Sequence, residues 1–207
     1  MRGSYDRVAR QYAEEFDDEL SHRPLERALL GALPELAGLD ATPGVVADLG
    51  AGPAHVARHL RSVGVPTVAV DLAPAMAAVP YHRNRVPAAA GSLTALPLAD
   101  GALAAAVVLY AVIHLDDAGL VAAAGELARV LRPGGVALVS FHIGDEVRHI
   151  DEWHGEEVDL DFRFLQPGAL RRVLADAGLV VEATLEREPI AGVEAQTRRA
   201  YLLARRR

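Results

Sequence analysis

Cysteine and lysine are both missing from these 207 residues. The first absence removes disulfides, thiolate metal sites and cysteine nucleophiles, so packing has to supply the stability. The second leaves all 21 basic side chains as arginine, which, with the abundance of alanine, glycine, valine and leucine, points to a GC-rich bacterial coding sequence. No apolar run approaches the roughly 20 residues of a membrane span, and segment 1–18 lacks the apolar stretch of an export signal. A cytoplasmic protein with no membrane partner is expected. A net charge of −7 offers no basic track to phosphates, so nucleic acid is not an expected partner.

What the chain does hold is enough apolar material, 51% of its residues, for one sizeable core, so residues 1–207 are expected to form a single domain. From Val45 to Leu49 a short apolar run meets Gly50-Ala51-Gly52-Pro53, after which Val56, Ala57, Leu60 and Val63 recur at helical spacing. This reads as strand, tight turn, helix. A second run, Thr67 to Val70, stops at Asp71, and Pro74 suits the first turn of a following helix. A weak strand at 87–90, a buried run from Leu103 to Tyr110, a helix over 116–131, the stop Arg132-Pro133-Gly134-Gly135 and a strand from Val136 to Phe141 continue the alternation. Such alternation implies an α/β fold, a mostly parallel sheet with helices on both faces. Residues 1–40 read as an N-terminal helical cover, with helices at 5–19 and 24–36. Residues 143–164 read as an acidic lid or substrate loop, and 165–207 as a helix followed by two antiparallel edge strands.

In an open parallel sheet, ligands sit beyond the carboxyl ends of the strands. Here those ends carry Asp48-Leu49-Gly50-Ala51-Gly52, Asp71 and Gly91-Ser92-Leu93. Glycines let backbone approach a ligand, and an acid about twenty residues further on can accept from both ribose hydroxyls, which allows NAD and S-adenosylmethionine alike. Two residues favour a ligand without phosphate. His55 stands where a dinucleotide site needs its third small residue, and Asp48 would repel a pyrophosphate while attracting a cationic amino-acid group.

Val46-Ala47-Asp48-Leu49-Gly50-Ala51-Gly52-Pro53 resembles the first motif of the class I, Rossmann-like, S-adenosylmethionine-dependent methyltransferases, and Val70-Asp71-Leu72-Ala73-Pro74-Ala75-Met76 resembles the second. Ala95-Leu96-Pro97-Leu98-Ala99-Asp100 is similar to the stretch before strand four, and Leu131-Arg132-Pro133-Gly134-Gly135 to the turn before strand five. The four motifs stand in order across residues 45–142, the expected cofactor-binding core. The resemblance implies a doubly wound, seven-stranded sheet of order 3-2-1-4-5-7-6 with strand seven antiparallel. It implies that Asp48, Gly50, Ala51 and Gly52 serve the amino-acid part of the cofactor and that Asp71 holds the ribose. Leu72 and Met76 would then lie near the adenine, Ser92 and Leu93 would take the place of an adenine-binding aspartate, and Tyr110 would lie near the methionine. Tyr12, from the cover, is expected to help orient what is bound. Ala54 replaces the usual third glycine, a departure its small side chain tolerates.

The activity so implied is methyl transfer to an O, N or C atom of a small metabolite, giving S-adenosylhomocysteine, as in enzymes of quinone and secondary-metabolite biosynthesis. The protein must align the acceptor and, where needed, remove its proton. His142 and His114, which follow strands five and four, are the candidate bases because histidine titrates near neutrality. Trp153 and His149 in the lid are candidate substrate contacts. His142, Asp145, Glu146, His149 and His154 have metal-ligand chemistry, and Glu146 and His149 stand at helical spacing. A loop of this composition nevertheless reads as solvated or substrate-binding, and no metal is expected. A monomer or homodimer is expected. The alternatives are a non-catalytic S-adenosylmethionine-binding regulatory protein and an NAD(P)-dependent oxidoreductase, the latter disfavoured by His55 and Asp48.

Overall fold

The computed structural model describes the backbone of residues 1–207 and the side chains outside residues 80–84. Along the chain run α1 (Arg2–Glu15), α2 (Pro24–Leu36), β1 (Val45–Leu49), α3 (His55–Ser62), β2 (Thr67–Asp71), α4 (Pro74–Asn84), β3 (Ala88–Ala90) and β4 (Leu103–Leu109). There follow α5 (Asp117–Val130), β5 (Leu131–His142), β6 (Val147–Trp153), β7 (Glu156–Arg163), α6 (Pro167–Asp176), β8 (Leu179–Arg187) and β9 (Arg199–Arg206). Seven strands form one sheet in the order β3-β2-β1-β4-β5-β9-β8, and β9 runs antiparallel to both of its neighbours. With β6 and β7 set aside, this is the expected strand order. Among the described residues no helix is long and apolar enough to cross a membrane.

The centre of the sheet is buried on both faces, which is why β1 and β4 read as continuous apolar runs and not as alternating ones. Ala104, Ala105 and Ala106 of β4 are at most 1% exposed, and their small side chains let helices approach the sheet closely. Leu30, Leu33, Val56 and Leu60 from α2 and α3 pack on one face. Leu120, Leu127, Leu170 and Leu174 from α5 and α6 pack on the other. Each of these fully buried leucines contributes about 2 kcal/mol of hydrophobic stabilisation. The start of α5 is fixed by Asp116, whose carboxylate accepts from the Gly119 N–H at 2.7 Å.

Two local readings change. Residues 132–135 are not a turn ahead of strand five but an irregularity within β5. Leu103 pairs with Leu131, Ala105 pairs with Val136, and Gly134 takes up the slack at φ +77°. The expected lid loop is largely a two-stranded hairpin of β6 and β7 standing apart from the main sheet. Its tip is His154-Gly155, both at positive φ, the backbone that matches the twist of a tight hairpin. Glu146 and His149 therefore do not share a helix face.

Candidate active site

Gly50, Asp71, Ser92, Tyr110 and His142, each at or just beyond the carboxyl end of its strand, open on one cavity of about 1030 Å³. The glycine loop is shaped by sterics. Gly50 has φ +69°, and a Cβ there would lie 2.3 Å from that of Ala111, while one at Gly52 would lie 3.4 Å from the Tyr12 ring. Asp71 braces the loop from β2: its Oδ2 accepts from the Gly52 N–H at 2.8 Å and its Oδ1 from the Ala73 N–H at 2.9 Å. Burial holds this carboxyl above its ordinary range although both N–H groups pull the other way. Ala51, Leu72, Met76, Ser92 and Leu93 complete this end of the cavity. The Ser92 hydroxyl is bonded to Thr94 Oγ1 at 2.8 Å. Ala54 does more than pack closely: it starts α3 in the left-handed conformation, φ 56°, a strain of about 1 to 2 kcal/mol that glycine would relieve.

Asp48 does not line the cavity. Its side chain turns toward α3, where Oδ2 accepts from the Ala57 N–H at 3.0 Å, and burial pushes its carboxyl up to about 7. It anchors the glycine loop from behind, and its proposed electrostatic part in choosing the ligand falls away. His55 does reach the cavity wall, with Nε2 3.1 Å from Glu19 Oε2.

The roof is α1 joined to the hairpin. Ser4 Oγ accepts from the Asp159 N–H at 3.0 Å, Arg7 Nε donates to the Glu157 carbonyl at 2.8 Å, and His154 Nε2 meets Glu15 Oε2 at 2.9 Å. Val8, Val158 and Leu160 are buried between them. Trp153 sits under this roof with Tyr12 edge-on at 5.2 Å and Tyr5 at 6.2 Å. Of five tyrosines, four phenylalanines and one tryptophan in the chain, Tyr5, Tyr12, Phe16, Tyr110, Trp153, Phe162 and Phe164 line this one cavity.

Both candidate bases line the cavity as well. His114 has each ring nitrogen engaged, Nε2 with Tyr5 Oη and Nδ1 with the Asp161 carbonyl, both at 2.8 Å. Burial lowers its pKa. His142 Nδ1 meets Thr197 Oγ1 at 2.8 Å. Burial, reinforced by Arg199, Arg23 and Arg148, depresses its pKa to about 4. His149 is not in the cavity: it stands on the exposed side of the hairpin, 2.9 Å from Asp161. The acids and histidines of segment 142–154 disperse to separate partners, and among the described residues no group of three His, Asp or Glu side chains is arranged to hold a metal ion.

Sequence reasoning missed the end of the cavity away from the glycine loop. Glu194, in the connection from β8 to β9, is fully buried against Arg187 and Arg199, with Arg23 Nε 3.6 Å away. Arg187 reaches on to Glu26, which accepts from the Tyr201 hydroxyl. Tyr110, left-handed at φ 54°, hydrogen-bonds Tyr201 at 3.0 Å. A bulky residue held at positive φ marks a position the surroundings over-determine, as functional sites often do. The nearest sequence signal was the crowding of Arg187, Glu188, Glu194, Arg198 and Arg199 around a connection too short to need so many charges.

Residues 46–135 match the family model for a methyltransferase domain. A demethylmenaquinone methyltransferase of Beutenbergia cavernae is 36% identical over 145 residues, 68% of this chain and 57% of that protein. A malonyl-[acyl-carrier protein] O-methyltransferase of Pectobacterium atrosepticum is 36% identical over 137 residues, 65% of this chain and 47% of that protein. The chain thus spans about half the length of the curated relatives it matches. A putative methyltransferase of Haloferax volcanii, solved in complex with the Trm112 methyltransferase activator, superposes with a TM-score of 0.73 at 19% identity, covering 99% of this chain and 96% of that one. The fold is that of the class I methyltransferases. Residues 46–135 are thus similar to a methyltransferase domain, set in a fold that the chain shares with solved methyltransferases.

Proposed function

We propose that the chain is an enzyme that transfers a methyl group from S-adenosylmethionine to an O, N or C nucleophile of a small molecule. The observation that carries this reading is the meeting, on one cavity, of the Asp71 carboxylate and the backbone of Gly50 and Gly52, where any side chain at 50 would collide with Ala111. That backbone leaves room for a close ligand, and each Asp71 oxygen keeps lone pairs for the hydroxyls of a ribose. His55 reaches the cavity wall at the position where a dinucleotide site needs a small residue, which favours this cofactor over NAD(P). S-adenosylmethionine, when bound, supplies a methyl already activated on a sulfonium.

The chain's own part is placement and proton handling. Asp71 fixes the ribose, and Leu72, Met76 and Leu93 cover the adenine. Tyr12 closes over the glycine loop from α1. The roof of α1 and the β6–β7 hairpin excludes water, and His142 accepts the acceptor's proton at Nε2 while Thr197 holds its Nδ1. A cavity of about 1030 Å³ is at the upper end of the roughly 300 to 1,000 Å³ typical of single-ligand pockets, so an acceptor can lie beside the cofactor. Relatives named for demethylmenaquinone and for malonyl-[acyl-carrier protein] differ too much to choose that acceptor.

Calorimetric titration with S-adenosylhomocysteine, with NADH as the control, tests the reading. S-adenosylhomocysteine is expected to bind and NADH not to. Asp71→Ala is expected to weaken that binding roughly ten- to a hundredfold, the worth of charge-assisted hydrogen bonds of about 1.5 to 3 kcal/mol. Binding of NADH alone would overturn it.

A further inference from the structure

Tyr110, His142 and Phe164 form a row along the acceptor end of the cavity. Their successive ring centroids are 5.1 Å and 5.4 Å apart, with planes tilted by 30° and 31°. Guanidinium groups cap the row at both ends. Arg148 lies over Phe164 at 4.6 Å, and Arg23 and Arg199 lie over Tyr110 at 5.7 Å and 5.6 Å. All six residues line the cavity. The C–H edges of the Tyr110 and Phe164 rings, which carry positive partial charge, flank His142. Ring edges and guanidiniums together make a surface for a negative group.

The arginines are not equivalent. Arg23 is closed off by Glu19 at 2.6 Å and Arg199 by Glu194 at 3.2 Å, in pairs at most 17% exposed. Among the described residues Arg148 pairs only with Glu146, at 2.7 Å, where both side chains are about half exposed, 54% and 53%. Such a pair contributes little, and a ligand can take its place. Arg23 and Arg199 are thus already matched by carboxylates, which leaves Arg148 as the guanidinium of this row open to a ligand, while Asp71 lies at the glycine-loop end. Between the two ends stands the aromatic wall around Trp153.

From this arrangement, and resting on the methyltransferase reading above, we infer that the methyl acceptor is an aromatic carboxylate. Its ring lies against the Trp153 wall, and its carboxylate meets Arg148 at the edge of the Tyr110, His142 and Phe164 row. Arg148 is thus a specificity residue, supplied by the hairpin rather than by the loops at the carboxyl ends of the strands.

The test is calorimetric titration of the protein saturated with S-adenosylhomocysteine, using salicylate, its neutral amide salicylamide and its cationic counterpart salicylamine. Salicylate is expected to bind at least about tenfold more tightly than salicylamide, and salicylamine more weakly than either. Arg148→Gln is expected to erase most of that preference and leave S-adenosylhomocysteine affinity unchanged, while Arg148→Lys keeps part of it. Equal affinities, a preference for the amine, or no binding of any of the three would overturn the inference. Should S-adenosylhomocysteine itself fail to bind while the protein alone still prefers salicylate through Arg148, the methyltransferase reading falls and the anion site stands.

Discussion

Tyr5 Oη and His114 Nε2 are 2.8 Å apart, and the other ring nitrogen of His114 faces the Asp161 carbonyl at the same distance. A carbonyl can only accept, so Nδ1 carries the proton and Nε2 accepts from Tyr5. One imidazole therefore joins α1, the segment after β4 and the hairpin. His114 is better suited to hold the roof than to take a proton, since any incoming proton would have to displace that of Tyr5.

In the proposed reaction this leaves His142 as the base. Its pKa of about 4 keeps it neutral across the range in which an ordinary histidine titrates. His142→Ala is expected to lower turnover about 10²- to 10⁴-fold with acceptors that must lose a proton, with S-adenosylhomocysteine affinity preserved. In the wild type, the rate is expected to show no inflection near pH 6.5. Because the folded pKa is depressed, the stability tied to this residue is present above about pH 6.5 and fades as pH falls toward 4. A rate profile that bends at the ordinary histidine value would reject the assignment.

Asp48 predicts the opposite dependence. Its folded carboxyl titrates at about 7, whereas the unfolded one titrates near 3.9. The folded state thus holds a proton the unfolded chain has lost, and stability falls as pH rises between those values, by at most about 1.4 kcal/mol per unit. Asp48→Asn keeps an acceptor for the Ala57 N–H and removes the titration. In urea unfolding the variant is expected to gain on the wild type as pH is raised through that window. Parallel curves would show that Asp48 is already charged in the fold.

Glu194 is fully buried among Arg187 and Arg199. Burial opposes its charge, yet bonds from Arg187 and the Ile190 N–H, together with Arg199, hold its carboxyl at about 2. Its contribution is present above the ordinary carboxylate range and is lost as pH falls toward 2. Glu194→Gln leaves buried Arg199 without its carboxylate partner, while Arg187 keeps Glu26, and is expected to cost about 3 to 5 kcal/mol in chemical denaturation. A loss under about 1 kcal/mol would mean that water reaches the cluster.

The alternation of strands and helices, with Gly50 and Asp71 at strand ends, was legible because glycine, proline and acid punctuate apolar runs of strand length, whereas the strand order and the place of Tyr110 came from the family resemblance. The hairpin was hidden by its charge. Val158, Leu160 and Phe162 alternate with Glu157, Asp159 and Asp161, a period of two that acidic composition disguised as loop. His149 fell to the wrong face for the same reason. Asp48 was misplaced because a strand residue's period does not say whether a polar group meets ligand or helix. The Arg23, Glu194 and Arg199 cluster joins segments from opposite ends of the chain, and no local pattern announces a contact of that range.

The gathering of aromatic rings around the cavity sets what light can report. The two faces of the sheet are packed chiefly with alanine, valine and leucine, which are silent in the near ultraviolet, and the sole indole stands beneath the roof. Tryptophan emission from this protein is a gauge of whether α1 and the hairpin are docked, and it will register their lifting even while the sheet behind them remains intact.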